Sequence, residues 1–346
     1  MRKYYILPAL TLFGLLFMTS CGKKGNDENN DSSQQSSKED FTGFEQTPTG
    51  IYYKVINHNP DTAKAFKFDR AIDFHLVVKN YKDSVLQNSY EKEPIKNFIY
   101  QPPRFKGDIS EIMQYISEGD SVVIGVSSDS TAKYQGRPMP PTFPKGTYVR
   151  YFMKILKVKP AAEAMAEIEK AKTEALQKVR RDDSIAIHSY LKEKGLADKA
   201  KSTPSGLYYV ITEEGTGERP EKHDTVYTNY VGKLTNGNLF DTNVEEAAKK
   251  GGKYQGPNPK KYQPFKFILG RQQVIRGWDE GLALLKKGSK AILLVPSTLG
   301  YGPRAMGKDI PANSTLVFDV ELTDFKKGKA PKAMPKGHSK GDGHNH

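Results

Sequence analysis

Apolar and polar residues alternate along two stretches of the chain that closely match each other. Residues 47–56 and 203–211 each begin with Thr-Pro and a turn, then continue as an alternating run rich in Tyr, Val and Ile, which predicts half-buried strands. Weaker matches follow in the same order, Phe98-Ile99 with Phe267-Ile268 and residues 118–124 with residues 287–293. The pattern therefore predicts two copies of one small β-rich domain.

The segment between the two copies has a different composition. Residues 161–179 are rich in Ala, Glu, Lys and Leu and contain neither Gly nor Pro, which predicts a helix. Asp182, Asp183 or Ser184 is placed to cap a second helix that stops at Gly195. Glutamates alternate with the lysines, so we expect a solvated spacer between the domains, or a segment packed on one of them, and no nucleic-acid partner.

The first residues have the pattern of a secretory signal peptide. Met1-Arg2-Lys3 precede an apolar run from Ile6 to Met18 that is shorter than a membrane span. Small residues directly before Cys21 resemble the lipobox of bacterial lipoproteins, which implies cleavage after residue 20 and lipidation of Cys21. A plain signal peptide with an incidental cysteine is the alternative. Residues 21–43 then predict a polar tether.

Charge and cysteine content narrow the possible chemistry. The 346 residues carry a net charge of +13, and lysines are frequent in the last twenty residues, which favours anionic surfaces without naming one. A single cysteine excludes an intramolecular disulfide and a cysteine-based zinc site. His338, His344 and His346 lie in the Gly- and Lys-rich tail 327–346, where we expect weak metal binding at most and no functional metal site.

The second copy carries ordered motifs. A strand at 226–234 leads through Asn236-Gly237, a hairpin signal, to Leu239-Phe240-Asp241-Thr242. The later motifs are Pro264-Phe265-Lys266-Phe267, Val274-Ile275-Arg276-Gly277-Trp278, Gly300-Tyr301-Gly302 and the closing run 310–322. In this order they resemble the FKBP family of peptidyl-prolyl cis–trans isomerases over about 120 residues, 203–325.

The resemblance implies an α+β fold in which an antiparallel half-barrel sheet wraps around a short helix running from about Arg276 to Leu285. Two such domains are expected, a degenerate one at 44–159 and an isomerase domain at 202–326, joined by a helical linker at 160–201. The resemblance also implies the site residues. The proposed catalytic set is Tyr230, Phe240, Asp241, Trp278 and Tyr301, and the proposed substrate-binding set is Phe265, Val274, Ile275, Ile310 and Phe318.

Elementary chemistry agrees with this assignment. Rotation about an X–Pro bond breaks no bond but must overcome a barrier of about 18–20 kcal/mol, since amide resonance is lost. A dry aromatic pocket can favour the twisted amide without nucleophile, metal or cofactor, and we expect none. Taken singly, however, aromatic residues such as Tyr230 and Phe318 also suit any sheet core.

Two departures from the family pattern stand out. The first copy has Leu76, Leu86 and Gln87 where the second has Tyr230, Phe240 and Asp241, and counting back from the glycine turns places Ile109 at the position of Trp278. We therefore expect a fold without isomerase activity there. Residues 242–264 form a long Lys-, Gly- and Pro-rich insertion, either a flap for unfolded clients or a tolerated surface loop.

The expected function is isomerisation of X–Pro bonds in extracytoplasmic proteins by an envelope protein tethered to a membrane through lipidated Cys21. An outer membrane, facing the periplasm, is favoured over the inner one because Gly22 follows the cysteine. The alternative is a membrane-tethered chaperone or scaffold that binds client chains without catalysis. Client identity and oligomeric state are left open.

Overall fold

The computed structural model describes residues 41–58, 69–135, 138–140, 143–258 and 260–328. It separates into two compact units, residues 1–172 and 173–346, which are described in turn. The expected signal (1–20), Cys21, nearly all of the tether and the histidine tail lie outside the described residues. Within the described part, no helix is long and apolar enough to cross a bilayer.

The N-terminal unit is built on one antiparallel sheet. Its described strands run in the order β1-β2-β6-β7-β3-β4, and β5 pairs with β3. A 3-10 helix, Ile109–Tyr115, lies between β5 and β6, and helix α1 (Ser128–Gln135) follows β6. The strands are β1 (Glu45–Gln46), β2 (Tyr52–Asn57), β3 (Arg70–Lys79), β4 (Val85–Asn88), β5 (Ile95–Ile99), β6 (Ser121–Ser127) and β7 (Tyr148–Pro160).

Helix α2 (Ala161–Glu193) follows β7 directly. The prediction of two helices between the domains is wrong, because this segment forms one continuous helix. The helix continues through Asp182, whose exposed side chain forms an i,i+4 ion pair with Lys178 at 2.7 Å. Asp183 is no cap either. Its buried carboxylate accepts hydrogen bonds from Ser297 N (2.9 Å) and Oγ (2.7 Å) and from Thr315 Oγ1 (2.5 Å), which fastens the helix to the C-terminal domain.

Helix α2 ends as its sequence predicts. Gly195 adopts φ +65°, and the N–H of Leu196 donates to the carbonyl of Leu191, a Schellman closure. The last turns bury Ile187, Tyr190 and Leu191 against one face of the C-terminal sheet. The second half of α2 is therefore part of the C-terminal unit rather than a free spacer.

The C-terminal unit contains a second antiparallel sheet, in the order β11-β10-β14-β13-β9-β8 with β12 paired to β10. Helix α3 (Glu245–Lys250) lies in the insertion, and helix α4 (Arg276–Ala283) lies between β12 and β13. The strands are β8 (Lys201–Ser202), β9 (Tyr208–Glu213), β10 (Thr225–Leu234), β11 (Leu239–Thr242), β12 (Phe265–Ile268), β13 (Lys290–Val295) and β14 (Leu316–Lys326).

The two sheets have the same topology. When β8 is counted as the first strand, both follow the order 1-2-6-7-3-4 with strand 5 on strand 3. Their irregularities coincide as well: the β3–β7 register shifts between Asp73 and Phe74, and the β10–β14 register shifts between Tyr227 and Thr228. This confirms the α+β fold class and shows that the repeat extends through the whole strand order.

Helix α4 packs directly on the concave face of its sheet. A Cβ at Gly277 would lie 2.5 Å from Val295 Cγ1, and one at Gly281 would lie 2.6 Å from Leu293 Cδ1. Only glycine therefore permits this close approach between helix and strand. The approach buries Trp278 and Leu282 in the core, and α4 ends two residues before the expected Leu285.

Candidate active site

Four elements of the C-terminal unit converge on Trp278. It is the third residue of α4, and its side chain is 5% exposed beneath an open cavity. Strand β10 contributes Tyr230, β11 contributes Phe240 and Asp241, and β14 contributes Phe318. Alternation of strand side chains places Tyr230, Asp241 and Phe318 on the same face, and the register shift opposite Gly232 and Lys233 makes Phe240 an extra residue that reaches the cavity as well.

The aromatic rings stand edge-on around the indole. The centroid of Trp278 is 4.9 Å from Tyr230 at 76°, 5.9 Å from Phe265 at 80° and 5.2 Å from Phe318 at 81°. Phe240 in turn meets Phe318 at 5.5 Å and 83°. Each T-shaped pair stabilises its geometry by about 0.5–1.5 kcal/mol beyond area burial, so the rings form a defined wall around an open space.

That space is a cavity of about 420 Å³, and the structure brings all ten proposed site residues to it. Its volume falls in the usual range for small-ligand sites, about 300–1,000 Å³. The proposed residues around it are Tyr230, Phe240, Asp241, Phe265, Val274, Ile275, Trp278, Tyr301, Ile310 and Phe318.

Glycine at position 232 makes room for two of the walls. A Cβ built there would lie 2.6 Å from Phe240 Cε2 and 2.9 Å from Phe318 Cε1, closer than real Cβ contacts. Gly232 pairs with Asp241 across β10 and β11. The missing side chain on β10 therefore allows both rings to sit where they border the cavity.

Some polar groups of the cavity are hydrogen-bonded within the protein, and others have no partner among the described residues. Tyr230 donates its hydroxyl to Asp241 Oδ2 at 2.7 Å, and the amide of Thr242 donates to Asp241 Oδ1 at 2.9 Å. Among the described residues, neither the Tyr301 hydroxyl nor the backbone N–H of Ile275 has a hydrogen-bond partner. Both are therefore available to a carbonyl group that enters the cavity.

Both phenols are held in their neutral form. Burial raises the pKa of Tyr230 well above its usual value, and its hydrogen bond to Asp241 raises it further. Burial, followed by the charge of Asp241, raises the pKa of Tyr301. A protonated phenol is a hydrogen-bond donor, so Tyr301 retains the proton that it needs to bind a carbonyl. The buried Nε1–H of Trp278 also lacks a partner among the described residues.

Three further residues line the cavity, Gln273, Met306 and Asp309. They are not among the site residues proposed from the sequence. Met306 and Ile310 pair their backbones across a tight loop, which brings Asp309 to the rim. Lys253 of the insertion forms an ion pair with Asp309 at 2.8 Å. Residues 242–264 therefore reach the rim of the cavity, a contact for which the sequence contains no periodic signal.

A family model for FKBP-type peptidyl-prolyl cis-trans isomerases matches residues 216–323. FK506-binding protein 1 of Dictyostelium discoideum is 42% identical over 121 residues, which are 35% of this chain and 99% of that protein. The chain belongs to the FKBP family. The FKBP-type peptidyl-prolyl cis-trans isomerase FkpA of Escherichia coli K12 is 38% identical over 184 residues, or 53% of this chain and 58% of that protein.

A relative from Haemophilus influenzae is also 38% identical, over 177 residues that make up 51% of this chain and 65% of that protein. The chain thus covers 58–65% of the length of these two bacterial relatives. The matched family segment, 216–323, contains all ten proposed site residues, from Tyr230 to Phe318. FKBP membership therefore rests on the half of the chain that holds the aromatic cavity.

Strand register shows what the first FKBP-like copy has at the same positions. Leu76 faces Met153 as Tyr230 faces Val320, and Gln87 faces Val78 as Asp241 faces Gly232. By the same register, Leu86 corresponds to Phe240, Ile95 to Phe265 and Tyr151 to Phe318. The pairings from the sequence for the first three positions agree with this register.

The helix of the first copy carries Ile109 at the position of Trp278. The hydroxyl of Thr49 donates to Glu111, and that of Ser205, its counterpart in the second copy, donates to Glu280. Each glutamate lies two residues after the position in question, so the hydrogen bonds agree with the count back from the glycine turns. A buried aliphatic side chain thus takes the helix position at which the second copy has its indole.

Proposed function

We propose that residues 202–326 catalyse cis–trans isomerisation of X–Pro bonds. The observation that carries this proposal is the single 420 Å³ cavity that all ten proposed residues border, with Trp278 as its floor. A prolyl ring is compact and apolar, and edge-on aromatic walls hold such a ring by shape and by exclusion of water. The FKBP family to which the chain belongs supports the same reaction.

The proposed mechanism is preferential binding of the twisted amide. Water stabilises the polarised planar amide, so a cavity walled by Tyr230, Phe265 and Phe318 removes part of that stabilisation. As resonance is lost, the carbonyl is free to rotate while the prolyl ring stays fixed on Trp278. No covalent bond forms or breaks, and the catalyst acts only by binding the transition state more tightly than either planar form.

Two unpaired donors then hold the substrate backbone. In the proposed pose, the Tyr301 hydroxyl and the Ile275 amide donate to carbonyl oxygens that flank the prolyl ring. Fixed donors of this kind require no reorganisation during the rotation, which is why they favour a transition state that fits them. Tyr230 is already bonded to Asp241, so its part is to shape the wall and orient that carboxylate.

Asp241 is proposed as the electrostatic group of the site. Its carboxylate is fixed by Tyr230 and by the amide of Thr242, and it remains exposed at the mouth of the cavity. A fixed negative charge there acts on the dipole of the rotating amide. The effect is strengthened by the apolar walls on the other side, because field lines are screened less there than in water.

The N-terminal copy is proposed to be non-catalytic. Leu76, Leu86 and Gln87 supply neither the aromatic wall nor the acidic group, and Tyr151 and Leu76 are fully buried. For the whole chain, we propose an envelope location with a lipid anchor at Cys21, an outer membrane facing the periplasm in preference to the inner one, and extracytoplasmic proteins with slow X–Pro bonds as clients. The signal-like residues 1–20 and the lipobox-like sequence support this placement.

The decisive experiment measures isomerisation of a short Ala-Pro peptide by the full chain, with exchange followed by NMR so that no coupling protease is needed. We expect catalysis by the wild type and a loss of about tenfold in Tyr301→Phe, the size expected for one hydrogen bond to the transition state. Tyr254→Phe, an exposed tyrosine of the insertion that does not border the cavity, is the matched control.

A folded wild-type chain that binds the peptide without accelerating exchange would overturn the isomerase proposal. It would favour the chaperone or scaffold function instead. Equal losses in Tyr301→Phe and Tyr254→Phe would show that the hydroxyl at the cavity has no special part in the reaction.

A further inference from the structure

A second cavity, of about the same size as the first, borders the first residue of α4. Its volume is 430 Å³, and it is bordered by the second half of α2, the loop before β9 and residues 296–299. All of these belong to the C-terminal unit. The residues around it are Arg180, Asp183, Ser184, Ile187, Pro204, Ser205, Gly206, Tyr208, Arg276, Pro296, Thr298 and Leu299.

Two guanidinium groups border this cavity from different elements. Arg180 is on α2 and Arg276 is the first residue of α4. Among the described residues, neither side chain has an ion pair, a hydrogen bond or an aromatic partner. Two unpaired arginines that share a cavity raise the local positive potential, and each offers a planar fork of donors suited to a carboxylate.

The acidic groups near the cavity are already bonded within the protein. Both oxygens of Asp183 accept hydrogen bonds from Ser297, and one also accepts from Thr315. The carboxylate of Glu280 accepts from Ser205 Oγ at 2.7 Å. Asp182, the neighbour of Asp183, pairs with Lys178. Among the described residues, none of these carboxylates forms an ion pair with Arg180 or Arg276.

The remaining surface of the cavity is mixed. Pro204, Tyr208, Pro296 and Leu299 present apolar groups, while Ser184 and Thr298 add hydroxyls. A bare inorganic anion would leave the apolar part uncovered. A peptide with carboxylate and aliphatic side chains would pair with the arginines and cover that surface as well, since apolar area removed from water adds about 25 cal/mol per Å².

We propose that this cavity is a binding site for a short acidic peptide segment, with Arg180 and Arg276 pairing its carboxylates. The site shares no residue with the isomerase cavity and does not depend on the proposed isomerase activity. It lies where α2 packs on the sheet of the C-terminal unit, so the helix between the two repeats supplies one of its two arginines.

The test uses a fluorescein-labelled hexapeptide of alternating Asp and Leu, which contains no proline and so offers the isomerase cavity no prolyl ring. Fluorescence anisotropy with the full chain measures its dissociation constant at low salt. We expect the double variant Arg180→Gln/Arg276→Gln to bind at least about tenfold more weakly, because two charge-assisted contacts are lost. Arg181→Gln is the matched control, since Arg181 is the exposed neighbour that does not border the cavity.

Both arginines are exposed and make no contact that holds the fold, so the double variant is expected to remain folded, which circular dichroism checks. An Asn-Leu peptide of the same length is expected to bind weakly or not at all. Equal binding of the acidic peptide to wild type and double variant, no binding to wild type, or displacement by inorganic phosphate at concentrations as low as those of the peptide would each overturn the assignment.

Discussion

The cavity of the proposed isomerase domain, residues 202–326 (below, the catalytic domain), depends on a missing side chain, and replacing Gly232 with Val tests this dependence. Valine is the natural choice because Val78 occupies the same register position in the N-terminal sheet, where it is fully buried. Gly232 lies inside β10 and has no positive φ, so valine is compatible with the backbone. The expected effect is therefore steric and local.

The magnitude follows from the contacts of the added carbon. A Cβ would lie 2.6 Å and 2.8 Å from two atoms of Phe240 and 2.9 Å from Phe318, where ordinary contact begins near 3.4 Å. Phe318 is enclosed by Trp278, whereas Phe240 is only half-buried and is the ring that can move. Overpacking of this kind costs about 1–3 kcal/mol of unfolding free energy.

The loss of catalysis should be larger than this cost suggests, because the displaced ring is a wall of the cavity. We expect kcat/KM for an Ala-Pro peptide to fall by at least about tenfold, equivalent to about 1.4 kcal/mol of transition-state binding. Urea unfolding followed by tryptophan fluorescence measures stability, since Trp278 is the chain's single tryptophan and reports on the catalytic domain.

The control is the reverse change in the other sheet, Val78→Gly. It should destabilise the N-terminal domain through a cavity and a flexible strand residue, while kcat/KM stays unchanged. A Gly232→Val chain that is folded and retains nearly full kcat/KM would refute the idea that the absent side chain keeps the cavity open.

Three further outcomes test the supporting contacts. Asp183→Ala leaves buried donors unpaired and should lower the unfolding free energy of the catalytic domain by about 2–4 kcal/mol in urea; a change within about 0.5 kcal/mol would contradict the fastening role. Asp241→Asn removes a charge that raises the pKa of Tyr301, so the ultraviolet difference titration between each protein and its Tyr301→Phe variant should show this phenol ionising at lower pH than in wild type; an unchanged difference titration would exclude that cause. Burial and a hydrogen bond to a glutamate raise the pKa of Tyr53 from 10.0 to about 12, so its stabilising effect is complete below pH 10 and is lost as the pH rises toward 12. Circular dichroism should show a shallower loss in Tyr53→Phe, and an identical pH profile would count against this assignment.

The sequence predicts most of the strand framework. Alternating runs such as 47–56 and 203–211 signal strands because one face of each is buried, and the glycine turns fix their ends. The pattern does not predict the register, that is, which residues of neighbouring strands pair. The shift beside Phe74 and its counterpart beside Thr228 depend on hydrogen bonds between distant strands, and they emerge only when the sheets are compared.

In the helix between the repeats, a strong local sequence signal leads to a wrong prediction. Asp-Asp-Ser is a strong local cap signal, yet Asp183 lies inside a continuous helix because its oxygens bond Ser297 and Thr315, 114 and 132 residues away. A local pattern cannot include such partners. Likewise, Met306 and Asp309 border the cavity through the geometry of a loop, and loop positions lack the periodicity that marks strands and helices.

The two repeats show that a packed core and an open cavity place different demands on the residues that form them. A core needs only apolar residues of suitable volume, and Leu76 and Tyr151, which replace Tyr230 and Phe318, satisfy that need while fully buried. An open cavity is different, because its walls give up dispersion contacts that a filled site would make. In the catalytic domain, the edge-on rings around Trp278 hold the walls apart, and Gly232 leaves room for them. Substitutions at a few such positions can therefore remove the site while the strand order remains unchanged.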